Sequence, residues 1–317
     1  MPGTLLIRGG AIGDFILTLP LLDALKSNDP SGEVEILGYP DIAEMAVTRG
    51  LARRVRRVSA PEWAPLFAPS GELGGDERDY LARFDCIVCI WPDRDGVMQD
   101  NLSRAGAAKV IMLDPLPPEG ESIHAVEYVS RQCVAAGLPS LPAEPRLYPS
   151  EKDRWWAERF MRITLAGECP LLAIHPGSGS REKNWPAASF EAVAREWLKR
   201  RSVHVLVVAG PADDEPLAAL GDLLEDERVF LIRNESLPHL AAVLERCEAF
   251  VGNDIGIAHM AAAVRTPVVA LFGPTDPNLW RPLGPRVTVL RPERDDQTLA
   301  DIPVGFVIDR VDRHLQR

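Results

Sequence analysis

The order of apolar runs constrains the fold of this chain more than any other feature of the sequence. Short runs rich in valine, isoleucine and leucine alternate with stretches of helical periodicity along all 317 residues. These runs predict strands at 4–8, 34–38, 53–58, 86–91, 109–113, 171–176, 203–210, 229–233, 249–253, 268–273 and 287–291. Strands that alternate with helices form parallel sheets whose two faces are both covered. The pattern therefore predicts an α/β protein.

The predicted strands are too many for one sheet of ordinary size, so we expect two domains. The segment 138–150, LPSLPAEPRLYPS, is rich in proline and lacks periodicity, which is typical of a linker. We therefore predict Rossmann-like domains at 1–145 and 146–317, with a ligand cleft between them. The segment 59–82 also contains several prolines and a Gly-Gly pair, and it predicts a loop or insertion.

Composition excludes several classes of protein. The net charge is −11 and neither half is basic, which argues against a general nucleic-acid binder. The longest apolar runs fall well short of the roughly 20 residues of a membrane span, and we expect no signal peptide. Five cysteines suit a reducing compartment better than a disulfide framework. Cys86 and Cys89 lie three apart in a predicted strand and face opposite sides of it, so we expect no metal site.

The first predicted strand ends in a glycine-rich turn that carries a carboxylate. Gly9, Gly10 and Gly13 follow it, and Asp14 stands where the next helix begins. Glycine allows a ligand to approach the backbone closely. A carboxylate in this place either interacts with the helix N-terminus or carries out chemistry on the ligand. The spacing is not the dinucleotide-binding G-x-G-x-x-G, and the residues alone leave both interpretations open.

A turn in the second half has the groups that a phosphate requires. Gly177, Ser178 and Gly179 follow the strand 171–176, and Lys183 comes shortly after them. Backbone N–H groups, a hydroxyl and an ammonium together bind phosphate well. The spacing is not that of a P-loop, and a plain surface turn with a solvated lysine is the alternative.

Two further strand ends carry polar residues. Asp254 and Gly256 follow the strand 249–253 and open a helix that contains His259. A helix N-terminus attracts anions, although a single histidine is more often structural. Glu215 follows the strand 203–210, where a carboxylate either accepts from ribose hydroxyls or opens a helix.

Three of these stretches, taken together, resemble glycosyltransferase family nine, the bacterial ADP-heptose:lipopolysaccharide heptosyltransferases. They are IRGGAIGDFILTLPLLDALK, IHPGSGSREKNWP and VGNDIGIAHMAAAVRTPVVALFGPTDP, in the order and at the spacing of that family. The resemblance implies a GT-B fold, with the acceptor on domain 1–145 and the nucleotide-sugar on domain 146–317. It also implies that the last helix, about 297–317, crosses back to the N-terminal domain.

The resemblance assigns roles to individual residues. Asp14 matches the catalytic carboxylate, and Gly10 and Gly13 leave room for the acceptor. The remaining matches concern the donor. Its diphosphate and sugar are held by Gly177, Ser178, Lys183, Asp254, Gly256 and His259, and its nucleoside by Glu215, Glu235, Ser236 and Leu237. Ile255 departs from the family, which has Ser or Thr at this position.

The implied function is an inverting transfer of heptose from ADP-heptose to a lipopolysaccharide-core acceptor, with Asp14 as general base. The implied partners are a nucleotide-sugar and a glycan or glycolipid. We expect no cofactor, no metal and no nucleic acid. The implied location is cytoplasmic, with peripheral contact at the inner membrane. The alternatives are another nucleotide-sugar with a different acceptor, or a non-catalytic nucleotide-sugar-binding protein on the same fold.

Overall fold

The computed structural model describes residues 3–164, 169–200, 202–294 and 296–315. The chain forms two compact units, Met1–Pro145 and Arg146–Arg317, and the boundary between them along the sequence lies in the proline-rich segment 138–150.

The first unit is a parallel sheet with helices between its strands. The strands are β1 (Gly3–Arg8), β2 (Glu33–Gly38), β3 (Arg54–Arg57), β4 (Cys86–Ile90) and β5 (Val110–Leu113). The helices are α1 (Ile12–Ile16), α2 (Leu19–Asn28), α3 (Pro40–Thr48), α4 (Gly75–Leu81), α5 (Val97–Arg104) and α6 (Ala125–Ala135). The strand order is β3-β2-β1-β4-β5, and each adjacent pair is parallel.

The second unit repeats this plan with a larger sheet. Its strands are β6 (Leu171–His175), β7 (His204–Ala209), β8 (Val229–Arg233), β9 (Ala249–Asn253), β10 (Val268–Leu271) and β11 (Val287–Leu290). Its helices are α7 (Glu151–Thr164), α8 (Ala187–Arg200), α9 (Asp214–Ala218), α10 (Leu237–Leu244), α11 (Gly256–Ala263), α12 (Pro277–Trp280) and α13 (Val304–Leu315). The parallel order is β11-β10-β9-β6-β7-β8.

The predicted α/β class and every predicted strand are confirmed, with strand ends within two residues of those expected. The reason is burial: strands such as β1 and β6 are covered on both faces, and their apolar side chains are excluded from water.

Each sheet has a point at which the strand order reverses direction, and ligands of open α/β sheets bind at the carboxyl ends of the strands there. In the first unit this point lies between β1 and β4, and in the second it lies between β6 and β9. Asp14 follows β1, the Gly177–Gly179 turn follows β6, and Asp254 follows β9.

The segment 59–82 is not the loop that its prolines predicted. It contains a 3₁₀ helix, Pro61–Phe67, and α4. Trp63, Leu66 and Tyr80 are buried in the core of the first unit, and this burial offsets the entropy lost when the segment is ordered.

The last helix, α13, packs within the second unit. Val307, Ile308 and Val311 belong to the same apolar core as Phe190 and Trp197 of α8. The apolar stripe of α13 is thus covered within its own unit, and the return of this helix to the N-terminal domain stays a prediction. Residues 316 and 317 of the predicted helix lie outside the described residues. No helix in the described part of the chain is long and apolar enough to cross a membrane.

Candidate functional site

Asp14 lies at the start of α1, directly after the β1 turn. Its Oδ2 accepts a hydrogen bond of 2.8 Å from the backbone N–H of Ala11. Gly10 has a φ of +98°, and a Cβ at this position would lie 2.8 Å from Asp14 Oδ2. The turn therefore requires glycine for its backbone conformation and for the space that the carboxylate occupies. Gly13 is not in the turn but in α1, where its carbonyl accepts from the N–H of Leu17.

A buried arginine lies beneath the Asp14 carboxylate. Arg8 Nη2 donates to the backbone oxygen of Asp14 at 3.3 Å and lies 3.6 Å from its Oδ1. Arg8 Nε donates to Thr18 Oγ1, which in turn donates to the backbone oxygen of Asp14. Burial lowers the pKa of the Arg8 guanidinium, and the charge of Asp14 opposes this change. Arg8 thus holds Asp14 in position and places a positive charge beside its carboxylate.

The turn after β6 is held in place by a buried asparagine at the end of β9. Asn253 Nδ2 donates to the carbonyls of Pro176 and Gly177, at 3.0 and 3.1 Å. Its Oδ1 accepts from the N–H of Trp185 at 2.9 Å. Because Asn253 is fully buried, it fixes the turn relative to the neighbouring strand. Ser178 Oγ is used inside the turn, where it donates to the carbonyl of Ser180 at 2.6 Å.

Lys183 and Asp254 meet at this edge of the sheet. Lys183 Nζ lies 2.8 Å from Asp254 Oδ2, and the lysine side chain is one-third exposed while that of the aspartate is nearly buried. Next to them, α11 begins at Gly256, and its N-cap residue Ile255 makes no side-chain hydrogen bond to the helix. The N–H of Ala258 donates to the carbonyl of Ile255 at 3.1 Å, and the N–H groups of Gly256 and Ile257 at the helix start suit an anion. His259 is buried on the second turn of the same helix.

A second buried pair joins the ends of β6 and β7. His175 Nε2 and Asp213 Oδ2 are 3.0 Å apart, and Asp213 Oδ2 also accepts from the N–H of Gly210 at 2.6 Å. A Cβ on Gly177 would lie 1.7 Å from Asp213 Oδ1, so glycine is required there. Burial alone would raise the pKa of the Asp213 carboxyl, but the hydrogen bonds and charge of its neighbours, His175 first, hold that pKa below its usual value.

The residues expected at the nucleoside lie at the ends of β7 and β8. Glu215 is exposed and forms an ion pair of 2.6 Å with Arg181, which lies two residues before Lys183. Glu235 Oε1 accepts from the N–H of Ser236 and lies 2.8 Å from His239 Nδ1. Ser236 is the N-cap residue of α10, and Leu237 is its first, half-buried residue.

The structure thus places the predicted donor residues along one edge of the second sheet, at the carboxyl ends of β6, β7, β8 and β9. The sequence did not predict the contacts of three groups that hold this edge and the β1 turn: Asn253, the His175–Asp213 pair and Arg8. Their only sequence signal is their position at strand ends. Among the described residues, no group of three or more His, Cys, Asp and Glu side chains is arranged to hold a metal ion.

The sequence of this chain is similar to those of known proteins. The model of "Glycosyltransferase family 9 (heptosyltransferase)" matches residues 121–301. The chain is 26% identical to lipopolysaccharide heptosyltransferase 3 of Escherichia coli over 96% of both chains. It is 30% identical to lipopolysaccharide heptosyltransferase 2 of Salmonella typhimurium, over 90% of this chain and 87% of that protein.

A solved structure shares the fold. The E. coli ADP-heptose lipopolysaccharide heptosyltransferase II superposes with a TM-score of 0.79 at 18% identity, over 100% of this chain and 99% of that one. This likeness confirms the predicted GT-B fold.

Proposed function

Because the chain belongs to glycosyltransferase family 9, we propose that it transfers a heptose from ADP-heptose to a sugar of the lipopolysaccharide core, with inversion at the anomeric carbon. The enzyme is a glycosyltransferase. The observation that carries the finer proposal is the Lys183–Asp254 pair beside the β6 turn, at the point where the strand order of the second sheet reverses. The proposal that ADP-heptose is the donor is supported by the E. coli structure, which is that of an ADP-heptose enzyme.

The donor diphosphate binds where cationic and N–H groups converge. Lys183, the N–H groups of the Gly177–Gly179 turn and the start of α11 carry the positive potential. When the diphosphate binds, Lys183 exchanges its ion pair with Asp254 for a contact to phosphate. The Asp254 carboxylate then accepts hydrogen bonds from hydroxyls of the donor sugar. Negative charge grows on the departing ADP in the transition state, and these groups stabilise it there.

The nucleoside binds at the neighbouring strand ends. Glu215 is exposed, and its partner Arg181 is also exposed, so their ion pair is weak and gives way to ribose hydroxyls. Glu235, Ser236 and Leu237 lie beside the adenine, with Leu237 providing apolar contact. No cofactor or metal takes part in this proposal, and the nucleotide-sugar is a substrate.

Asp14 is the general base. It removes the proton from the acceptor hydroxyl as that oxygen forms its bond to the anomeric carbon, while the bond from that carbon to the β-phosphate oxygen of ADP breaks. Attack and departure on opposite faces invert the configuration. Arg8 and the N–H of Ala11 hold the carboxylate in place. Gly10 leaves the turn open to the acceptor glycolipid.

The donor site is tested by substitution of Lys183. Lys183→Ala is expected to weaken ADP binding by about tenfold or more in calorimetry, because a charge-assisted contact to phosphate is lost. Lys199→Ala, on the exposed last turn of α8, is the matched control and should bind ADP like the unaltered protein. Equal ADP affinity in both variants would place the diphosphate elsewhere.

The base is tested by Asp14→Asn. This variant is expected to keep its affinity for ADP and to lose roughly 10²-fold or more in kcat, which is the usual contribution of a general base. Asp41→Asn, an exposed position of the first unit, is the control. Near-normal turnover by Asp14→Asn would rule out this role. The same variant distinguishes an enzyme from a non-catalytic binding protein. Hydrolysis or transfer of the donor by the parent, and its loss in Asp14→Asn, would show an enzyme.

Ile255 favours one alternative, a different donor sugar. The N-cap of α11 lacks the hydroxyl that the family has there, which removes one contact to phosphate or sugar. Thermal shifts with ADP, UDP and GDP and their sugars test this alternative, since ligands that bind the native state raise the unfolding temperature. A larger shift with another nucleotide-sugar than with ADP-heptose would change the assigned donor.

A further inference from the structure

A cavity of about 340 Å³ lies in the second unit, beside the donor edge but outside it. Its walls come from the chain directly after β10 and β11, so it opens at the ligand-binding ends of two parallel strands. The principal side chains in its lining are Glu182, Pro274, Arg291, Pro292, Arg294 and Gln297. None of these residues has a role in the proposed transfer.

The lining is rich in hydrogen-bond donors. Arg291 is exposed, and no carboxylate of the described residues forms an ion pair with it. Arg294 makes a local ion pair of 3.2 Å with Asp296, and both side chains are largely exposed. Gln297 Oε1 accepts a hydrogen bond of 3.1 Å from the backbone N–H of Arg294. This bond fixes the orientation of the Gln297 amide and leaves its NH₂ group to donate to a ligand. The cavity thus presents the guanidinium of Arg291, the guanidinium of Arg294 in its exposed ion pair with Asp296, and an amide. Glu182 is the one carboxylate in the described lining.

A capped turn at Thr298–Asp301 stabilises one wall of the cavity. Thr298 N and Oγ1 both donate to Asp301 Oδ2, at 2.7 and 3.2 Å. Leu299, between them, is buried in the core of the second unit. The wall that carries Arg294 and Gln297 is therefore anchored to the core at its C-terminal end.

The cavity shares a turn with the donor site. Glu182 and Lys183 are consecutive residues of the 3₁₀ turn Arg181–Lys183. Lys183 faces Asp254, whereas Glu182 lines the cavity. A molecule in the cavity and a diphosphate on Lys183 would therefore contact consecutive residues of the same turn.

We propose that this cavity binds an anionic sugar unit, a pyranose that carries a phosphate or a carboxylate. Guanidinium groups bind both anions in a bidentate manner. The two prolines offer apolar surface to a sugar ring, and Glu182 accepts from its hydroxyls. The volume lies at the lower end of the range of small-ligand sites, which suits a single sugar. Such a sugar has two sources, the acceptor glycan and a free sugar phosphate. The first source rests on the proposed function, because it requires that the protein binds an acceptor glycan.

Binding is tested with glucose 6-phosphate as the probe, by calorimetry on the full chain. The Lys183→Ala background removes binding of the probe at the donor diphosphate site. In that background, Arg291→Ala is expected to raise the Kd of the probe about fivefold or more, because a guanidinium contact to phosphate is lost. Arg313→Ala, an exposed arginine of α13 that does not line the cavity, is the control and should leave the Kd unchanged. Equal unfolding temperatures establish that all variants are folded.

Three results would overturn the proposal: no saturable binding of the probe, equal binding by Arg291→Ala and its parent, or an equal affinity for inorganic phosphate. The last result would show a plain anion site without sugar recognition. Methyl glucoside, which lacks the charge, is expected to bind at least about tenfold more weakly than glucose 6-phosphate.

The transfer reaction identifies the source of the sugar. If the sugar belongs to the acceptor, Arg291→Ala raises the KM of a phosphorylated acceptor several-fold, and leaves the KM of the dephosphorylated acceptor and the Kd of ADP unchanged. If the sugar is a free effector, Arg291→Ala abolishes the response of the rate to added glucose 6-phosphate and leaves both KM values unchanged. If the protein binds glucose 6-phosphate but not ADP, the proposed transfer function is wrong and the cavity site still holds. If it binds ADP but not glucose 6-phosphate, the cavity site is wrong and the proposed function still holds.

Discussion

At the scale of single residues, the position of Asp14 depends on what surrounds it more than on its own backbone. The carboxylate is held by the N–H of Ala11 and by Arg8, and it occupies the space that a side chain on residue 10 would need. We predict that Gly10→Ala lowers kcat by roughly tenfold or more and leaves ADP affinity unchanged, since small displacements of a catalytic group are costly. Steady-state kinetics and ADP calorimetry measure the two quantities.

The matched control for this substitution is Gly50→Ala. Gly50 also has a positive φ, +75°, but a Cβ there would meet no atom within 4 Å. Both variants therefore carry a similar backbone penalty, of about 1 kcal/mol or more, and only Gly10→Ala displaces Asp14. If the two variants lost the same activity, the loss would reflect strain in general, and the link between Gly10 and Asp14 would be wrong.

At the scale of elements, the donor edge depends on a few side chains that connect strand ends. Asn253→Ala leaves the carbonyls of Pro176 and Gly177 and the N–H of Trp185 without their partner, all in the interior. We predict a loss of about 3 kcal/mol in the free energy of unfolding, as buried polar groups lose their partners, together with weaker ADP binding. Urea unfolding and calorimetry test the two effects. The exposed Asn278→Ala should change neither, and an Asn253→Ala variant as stable as this control would contradict the prediction.

The same contacts explain what the sequence predicts and what it does not. The strands of both sheets follow from their apolar runs, because local burial decides them, and the polar residues at strand ends follow from the rule for parallel sheets. The role of Asn253 does not follow, because it depends on β6 and β9 being neighbours although 76 residues separate Asn253 from Gly177. The segment 59–82 was misassigned for a similar reason. Its prolines suggest a loop, whereas Trp63 and Tyr80 bind it to the core.

At the scale of the whole molecule, each unit buries a carboxylate that is kept charged. In the first unit, burial by itself would raise the pKa of the Glu35 carboxyl, but hydrogen bonds from Arg54 and Tyr80 outweigh burial and lower it. In the second unit, the pKa of Asp213 is lowered in the same way, chiefly by His175. Both carboxyls therefore bind protons more weakly in the folded chain than in the unfolded chain.

This difference predicts loss of stability in acid. Above the unfolded carboxyl pKa of about 4, both groups are charged and their full contribution is present. As the pH falls from about 5 through the lower folded pKa values, the unfolded chain takes up more protons and is favoured. We expect the unfolding temperature to fall more steeply between pH 5 and 3 in the parent than in Glu35→Gln or Asp213→Asn, although both variants are less stable at pH 7. Asp222→Asn, at an exposed position, should keep the slope of the parent. Equal slopes in all four proteins would mean that neither buried carboxylate controls the acid limit of the fold.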